Sequence, residues 1–244
     1  MLIINADDFG RNRLATDNAI SCYKNERITS ASAMMFMADS ERSAGLALAA
    51  GLDVGLHLNF TLPFDGIVKL QKLNECHRNV TRFLLRNKYC QLLYNPFLRN
   101  QVKYLYDAQY EEYVHLYQRT PSHIDGHHHM HLTANMLFDR IIPKGYKVRR
   151  SFSFFPGEKG IFKRLYSSLL DAWISRRHVC TDLFFSIYPL QPTVLRKIVN
   201  LSELSNVELM VHPEKPEEYA YLMSKEYHEI ISRVIRGSYS NLKK

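Results

Sequence analysis

Short apolar runs of β character alternate with helical patterns along nearly the whole chain, and this rhythm limits the fold more than any single motif does. Leu2–Ala6 is followed by Asp17–Lys24, Ile28–Met35 by Ser40–Ala50, and Val54–Asn59, at a greater distance, by Leu98–Gln118. The order continues with Ser122–Asp125 and Ala134–Ile141, Tyr146–Arg149 and Ile161–Ser175, then Val207–His212 and Lys225–Arg236. Parallel strands need long crossovers, which are usually helical and cover the sheet, so the alternation predicts a largely parallel sheet. Near-continuous apolar runs such as Leu2-Ile3-Ile4 and Val207-Glu208-Leu209-Met210-Val211 suit strands buried on both faces. About six or seven such strands favour an α/β fold built as a distorted or incomplete (β/α) barrel of parallel strands. An open doubly wound sheet is the alternative. Neither a Gly-x-Gly-x-x-Gly after the first strand nor a Gly-x-x-x-x-Gly-Lys-Ser/Thr occurs, so a dinucleotide or nucleotide reading lacks its phosphate cradle.

With 244 residues, 46% hydrophobic and 23% charged, one domain over 1–244 is expected. No apolar run approaches the roughly 18 residues that cross a bilayer, and no export signal opens the chain. Cys22, Cys76, Cys90 and Cys180 form no Cys-x-x-Cys pair, which suits reduced thiols and a cytoplasmic location. The formal charge of +8 is concentrated. An irregular basic insertion is expected at about 61–99. Between Cys76 and Tyr106 stand six basic residues and no acidic one, interleaved with aromatics. A second zone, Arg140–Arg177, holds ten basic residues against Glu158 and Asp171. Solvated helical faces explain such zones, and an anionic substrate is the functional alternative. Tyr106, Tyr110, Tyr113 and Tyr117 recur at helical spacing and are expected in the core.

The densest chemical signal is His123-Ile124-Asp125-Gly126-His127-His128-His129-Met130-His131, with five of the eleven histidines in nine residues. If the strand through Ser122 continues, its period of two puts His123, Asp125, His127 and His129 on one face. Asp7 and Asp8 precede Phe9-Gly10 at the carboxyl end of the first strand; neighbours on a strand point oppositely, so both can serve one site only if the chain is leaving the strand. His57, followed by Asn59, ends the third strand, and His212-Pro213 ends the last. Each alone is satisfied by a turn or a core histidine. Together, Asp7/Asp8, His57, His127 and His212 fall at the carboxyl ends of different strands, where parallel α/β folds collect their chemistry. One Asp with two His makes a three-ligand set with open positions for a divalent ion.

In these residues the sequence resembles the YdjC-like family of carbohydrate deacetylases, which includes chitooligosaccharide and hopanoid-associated members. The matching pieces are Asn-Ala-Asp-Asp-Phe-Gly at 5–10, Ile-Thr-Ser-Ala-Ser at 28–32, Gly-Leu-His-Leu-Asn at 55–59, Pro-Ser-His-Ile-Asp-Gly-His-His-His-Met-His at 121–131, Tyr-Lys-Val-Arg at 146–149 and Leu-Met-Val-His-Pro at 209–213. The resemblance implies a distorted barrel and metal-dependent hydrolysis of the acetamide of an N-acetylated sugar. Asp8, His57 and His127 would hold one divalent ion, Mg2+ or Zn2+. Asp7 would be the general base, and His212 the acid or the group that orients the acetyl. Asp125 would orient a ligand imidazole from outside the ion's own shell. His123, His129, Asn59 and Arg149 are placed with it as outer or substrate contacts, and His128 and His131 carry no assignment.

A divalent ion can lower the pKa of water from about 16 to near 7, whereas a general acid or base contributes about 3–5 kcal/mol, so the ion is the larger effect. An N-acetylated sugar or oligosaccharide is the expected partner, with an anionic or lipid-linked sugar, membrane-surface contact and a homodimer left open. Nucleic acid is not expected, because nothing beyond net charge supports it. Two other classes are consistent with the same residues: a metal-dependent phosphoesterase, which would favour two ions, and a non-catalytic basic binding protein.

Overall fold

The computed structural model describes residues 1–66, 71–155 and 157–243. Six strands pair side by side, all parallel: β1 (Leu2–Phe9), β2 (Ser30–Ala33), β3 (Asp53–Leu58), β4 (Ile124–Gly126), β5 (Leu183–Ser186) and β6 (Val207–Val211), in the order β4-β3-β2-β1-β6-β5. A seventh, β7 (Arg236–Gly237), adds to the start of β1. The sheet curls into a half-barrel covered by helices, as the alternation predicts. Every residue of β1 and of β6 is buried, which is the condition that makes parallel strands read as unbroken apolar runs.

The crossovers begin and end where local chemistry allows. α1 (Arg13–Lys24) starts at Asn12, whose side chain accepts from the Ala15 N–H, and α2 (Ser40–Ala50) ends at Gly51 with φ +69°. α3 (Gln71–Leu84) and α4 (Arg99–Tyr117) pack together, and α5 (Ala134–Phe138) follows β4. Downstream come α6 (Ile161–Ser175), α7 (Pro192–Leu201), α8 (Pro216–Met223) and α9 (Lys225–Ile231). α7 and α8 open on proline, which loses no helical hydrogen bond in the first turn.

Three expectations need correction. The irregular insertion at about 61–99 contains the amphipathic helix α3, which buries Leu73, His77, Val80 and Leu84; its polar flanks masked the period, and its residues 67–70 lie outside the described residues. Tyr146–Arg149 is not a strand of the sheet but makes isolated bridges, Ile124 with Val148 and Lys147 with Val179. With the Ser153 N–H bonded to the Phe184 carbonyl, residues 147–153 lie between β4 and β5 on the open side of the half-barrel. Finally, β4 stops at Gly126, because His128 and His129 adopt left-handed backbone with φ +52° and +59°. The alternation that would have put His123, Asp125, His127 and His129 on one face ends there.

Tyr106, Tyr113 and Tyr117 lie in the core as expected, and half-buried Tyr110 shares a 2.6 Å hydrogen bond with Tyr146. Among the described residues, no helix is long and apolar enough to cross a membrane.

Candidate active site

The site forms where β1, β3 and β4 reach their carboxyl ends. Between Ala6 and Phe9, three steps of β1 match only two of β2, Ala31 to Ala33, so one residue is extra. That bulge, with Asp8 at φ +62°, lets two adjacent aspartates serve one site without the chain leaving the sheet. Asp tolerates left-handed backbone better than most residues, and a buried non-glycine held there commonly marks function.

Asp8 faces two histidines. Its Oδ1 lies 2.8 Å from His127 Nδ1 and 3.2 Å from His57 Nε2. The ligand atoms of all three residues lie within 4.8 Å of one another, and all three are buried. The far nitrogen of His57, Nδ1, is 2.8 Å from Asp125 Oδ1, so the carboxylate fixes the ring with Nε2 toward Asp8. A carboxylate and two imidazoles facing one point, one of them buttressed, fit a divalent ion.

Asp7 lies beside this set, within 4.8 Å of His57, and is held in a two-pronged ion pair with Arg149 at 2.6 Å on both oxygens. Arg149 is wholly buried and also reaches Asp125 Oδ2 at 2.8 Å and Glu208 Oε1 at 2.8 Å. One cation thus serves three carboxylates. Asp7, His57 and Asp125 also lie close enough to hold an ion, but the guanidinium already pairs with both carboxylates, which disfavours a second cation there.

These contacts set the charges. Burial would raise Asp7, but the Arg149 charge and hydrogen bonds outweigh it and hold the carboxyl below the ordinary range. Burial likewise works against Asp8, and the His127 and His57 contacts bring it well below that range. For His57, burial favours the neutral ring, yet Asp125 and Asp8 prevail and push it up to about 10. Glu208 is pushed up to about 7 by burial, which Arg149 offsets only in part. His123, His129 and His131 go the other way, lowered by burial to about 4, 3 and 4.

The remaining candidates separate clearly. His123 lies stacked on Tyr239 with ring centroids 3.7 Å apart and bonded to Ser32 Oγ at 3.0 Å, behind Asp125. Gly55 is required there, since a Cβ would collide with that ring. His129 packs edge-on against Phe152, and His131 Nε2 meets the Arg149 carbonyl at 3.0 Å. Asn59 spends its side chain on the turn after β3, accepting from the Thr61 and Leu62 N–H groups and donating to the Leu62 carbonyl. His212 follows β6, whose last residue, Val211, pairs with Ala6 beside Asp7. Its side chain is 21% exposed, against 1% for His57, and its Nδ1 lies 3.6 Å from Glu218 Oε2.

Sequence reasoning missed Glu208, Ser32 and Tyr239. Ser32 Oγ bonds Asp125 at 2.8 Å, and Tyr239 donates to Glu208 at 2.5 Å. Ser32 stood in the 28–32 segment that resembles the family, with no role attached, and Glu208 carried a physical signal: a charged residue in the middle of a strand apolar on both sides needs a buried partner.

The profile of YdjC-like proteins matches residues 1–233. The chain belongs to the YdjC-like family. Among its curated relatives, the chitooligosaccharide deacetylase of Proteus mirabilis (strain HI4320) is 30% identical over 146 residues, 59% of this chain and 53% of that protein. That of Yersinia pestis (strain Pestoides F) is 30% identical over 134 residues, 54% and 51% of the two chains. The match thus spans about half the length of these relatives. A crystal structure from Enterococcus faecalis V583, described as a candidate cellobiose-phosphate cleavage protein, superposes with a TM-score of 0.72 at 20% identity, covering 100% of this chain and 98% of that one. At that identity the likeness establishes the half-barrel fold and nothing finer.

Proposed function

We propose that this YdjC-like protein is a metal-dependent deacetylase that hydrolyses the acetamide of an N-acetylated carbohydrate. The observation that carries this reading is the buried Asp8–His57–His127 set, with Asp125 behind His57 and a second ionised carboxylate, Asp7, on the preceding residue. The named deacetylases that share about 30% identity supply the substrate class. Asp8, His57 and His127 would hold one divalent ion, Mg2+ or Zn2+, which would acidify water and polarise a carbonyl.

The chain's own groups do the rest. Arg149 keeps Asp7 ionised and oriented through two parallel hydrogen bonds, so Asp7 takes the proton of the attacking water. His212, the more exposed histidine, donates to the departing nitrogen, while Glu218 accepts its backbone N–H at 2.6 Å and holds it in place. Asp125 and Arg149 position His57 and Asp7 and touch no substrate. A phosphoesterase working through two ions fits less well, because Arg149 pairs with both carboxylates of the second donor group.

The test is acetate release from a panel of N-acetylhexosamine oligosaccharides, free and carrier-linked, with metal restored after chelation. Metal-dependent release is expected, with Asp7→Asn retaining bound metal and losing turnover on the order of a hundredfold or more. Wild-type turnover in that variant would remove Asp7 from its role, and silence across the panel would overturn the reaction.

A further inference from the structure

The apolar face of α6 is wider than the protein covers. Leu170 and Ile174 are buried at 8% and 3% exposure, yet Ile161 and Phe162 on the neighbouring arc are 77% and 85% exposed, and Leu165 and Leu169 also stand in solvent. The patch extends beyond the helix. Trp173 packs on Phe138 with centroids 5.2 Å apart and Phe138 on Tyr94 at 6.0 Å, linking α6 to the turn segment 85–97, where Tyr89, Leu92, Leu93 and Phe97 are exposed. Exposed apolar area of this extent marks an interaction surface.

Charge selects the occupant. Lys159, Lys163 and Arg164 stand exposed at the start of α6 and Arg176 just past its end, while Arg86 and Lys88 lie within the turn segment and Arg99, paired with Asp139 at 3.1 Å, follows it. Asp171 is taken by Arg150 at 2.6 Å, and the one further acid of the 140–177 zone, Glu158, which accepts the Phe155 N–H at 2.9 Å, offsets a single charge among Lys159, Lys163, Arg164 and Arg176, so the face stays strongly positive. Aliphatic and aromatic side chains ringed by Lys and Arg are the composition of a helix lying in an anionic membrane interface. A second copy of the same face would bring like charges together.

We infer that α6 and the 85–97 segment dock on an anionic lipid bilayer, where the site receives an N-acetylated sugar carried on a lipid. A groove of about 260 Å³, lined by Lys163 and Tyr166 of α6 and by His128, His129, Thr133 and Phe152, runs between this face and the loop that supplies His127. The docking stands on the surface alone; the delivery of substrate rests on the deacetylase reading.

Co-sedimentation of the full chain with vesicles separates the two. Pelleting is expected with phosphatidylcholine and phosphatidylglycerol in about equal parts, and little with phosphatidylcholine alone. Phe162→Glu with Leu165→Glu should weaken binding on the order of tenfold or more while leaving thermal unfolding and acetate release from a soluble N-acetylated oligosaccharide unchanged. Lys159→Glu, Lys163→Glu and Arg164→Glu together should weaken binding to the anionic vesicles. Absence of pelleting, equal pelleting of the double variant, or a solution dimer that the double variant dissolves would overturn the docking. Acetate release from a lipid-linked N-acetylglucosamine in those vesicles should fall in the double variant; an unchanged rate there, with binding lost, would overturn the delivery. Because pelleting needs no turnover, an inactive protein that still binds vesicles refutes the deacetylase reading and leaves the docking standing.

Discussion

The two sides of the His127 loop are built on opposite terms. Toward β1 and β3, charged side chains are buried and paired: Arg149 alone holds Asp7, Asp125 and Glu208 without any exposure of its own. Toward α6, apolar side chains stand in water, and among the described residues Lys159, Lys163, Arg164 and Arg176 form no ion pair, whereas Arg99 pairs with Asp139 and Arg150 with Asp171. Each arrangement reverses what a free globular surface and core prefer. The first costs desolvation and returns geometry; the second leaves hydrophobic burial for another surface to supply.

Substitutions sharpen that contrast, and the largest effect should come from its most buried cation. Arg149→Met leaves three carboxylates without their shared partner, and loss of one partner of a buried ion pair costs about 3–5 kcal/mol. Urea unfolding should show a loss of at least that size, whereas a change under about 1 kcal/mol would mean the network is not under this electrostatic constraint. Asp125→Asn removes the charge behind His57 and should weaken metal affinity about 10–100-fold with little change in fold, read by calorimetric titration. Unaltered affinity would separate Asp125 from the ligand set.

Glu208 is the intermediate case. Its carboxyl is raised by burial to about 7, above the unfolded value of 4.5, so the folded state binds the proton more tightly. The sign follows: its contribution is fully present below pH about 4.5 and is lost as pH rises through about 7. Glu208→Gln should therefore gain stability relative to the parent between pH 5 and 8, by about 1–3 kcal/mol, in paired unfolding curves. A difference that does not vary with pH would refute the raised value. The smallest effect belongs to the other side: Phe162→Ser in free solution should stay within about 0.5 kcal/mol of the parent. A larger loss would mean that Phe162 is packed rather than waiting for a partner.

The sequence announced one side of this comparison far better than the other. Strand period and chain order located β1, β3 and β6 to within a few residues, since parallel strands buried on both faces read as near-continuous apolar runs whose few polar members, such as Asp7, Asp8, His57 and Glu208, have buried partners. The gathering of Asp7/Asp8, His57 and His127 was legible because each falls at the carboxyl end of a strand; the choice of Asp8 over Asp7 came only from the family resemblance. The bulge that turns both Asp7 and Asp8 inward was not, because it is a register slip between β1 and β2 and leaves no mark in either strand alone. Arg149 was visible only as an outer contact; its reach to Glu208, 59 residues on, depends on how the irregular 147–153 segment lies against the sheet. The bounds of α6 matched the periodicity, Ile161–Ser175, but periodicity cannot say how much of an apolar arc finds neighbours.

The Asp8–His57–His127 centre is tested most directly by titrating the metal-free protein with Zn2+ in a calorimeter, wild type against Asp8→Asn. One ion per chain in the wild type and loss of that site in the variant is the predicted result; equal binding by both proteins, or two ions in the wild type, would contradict it.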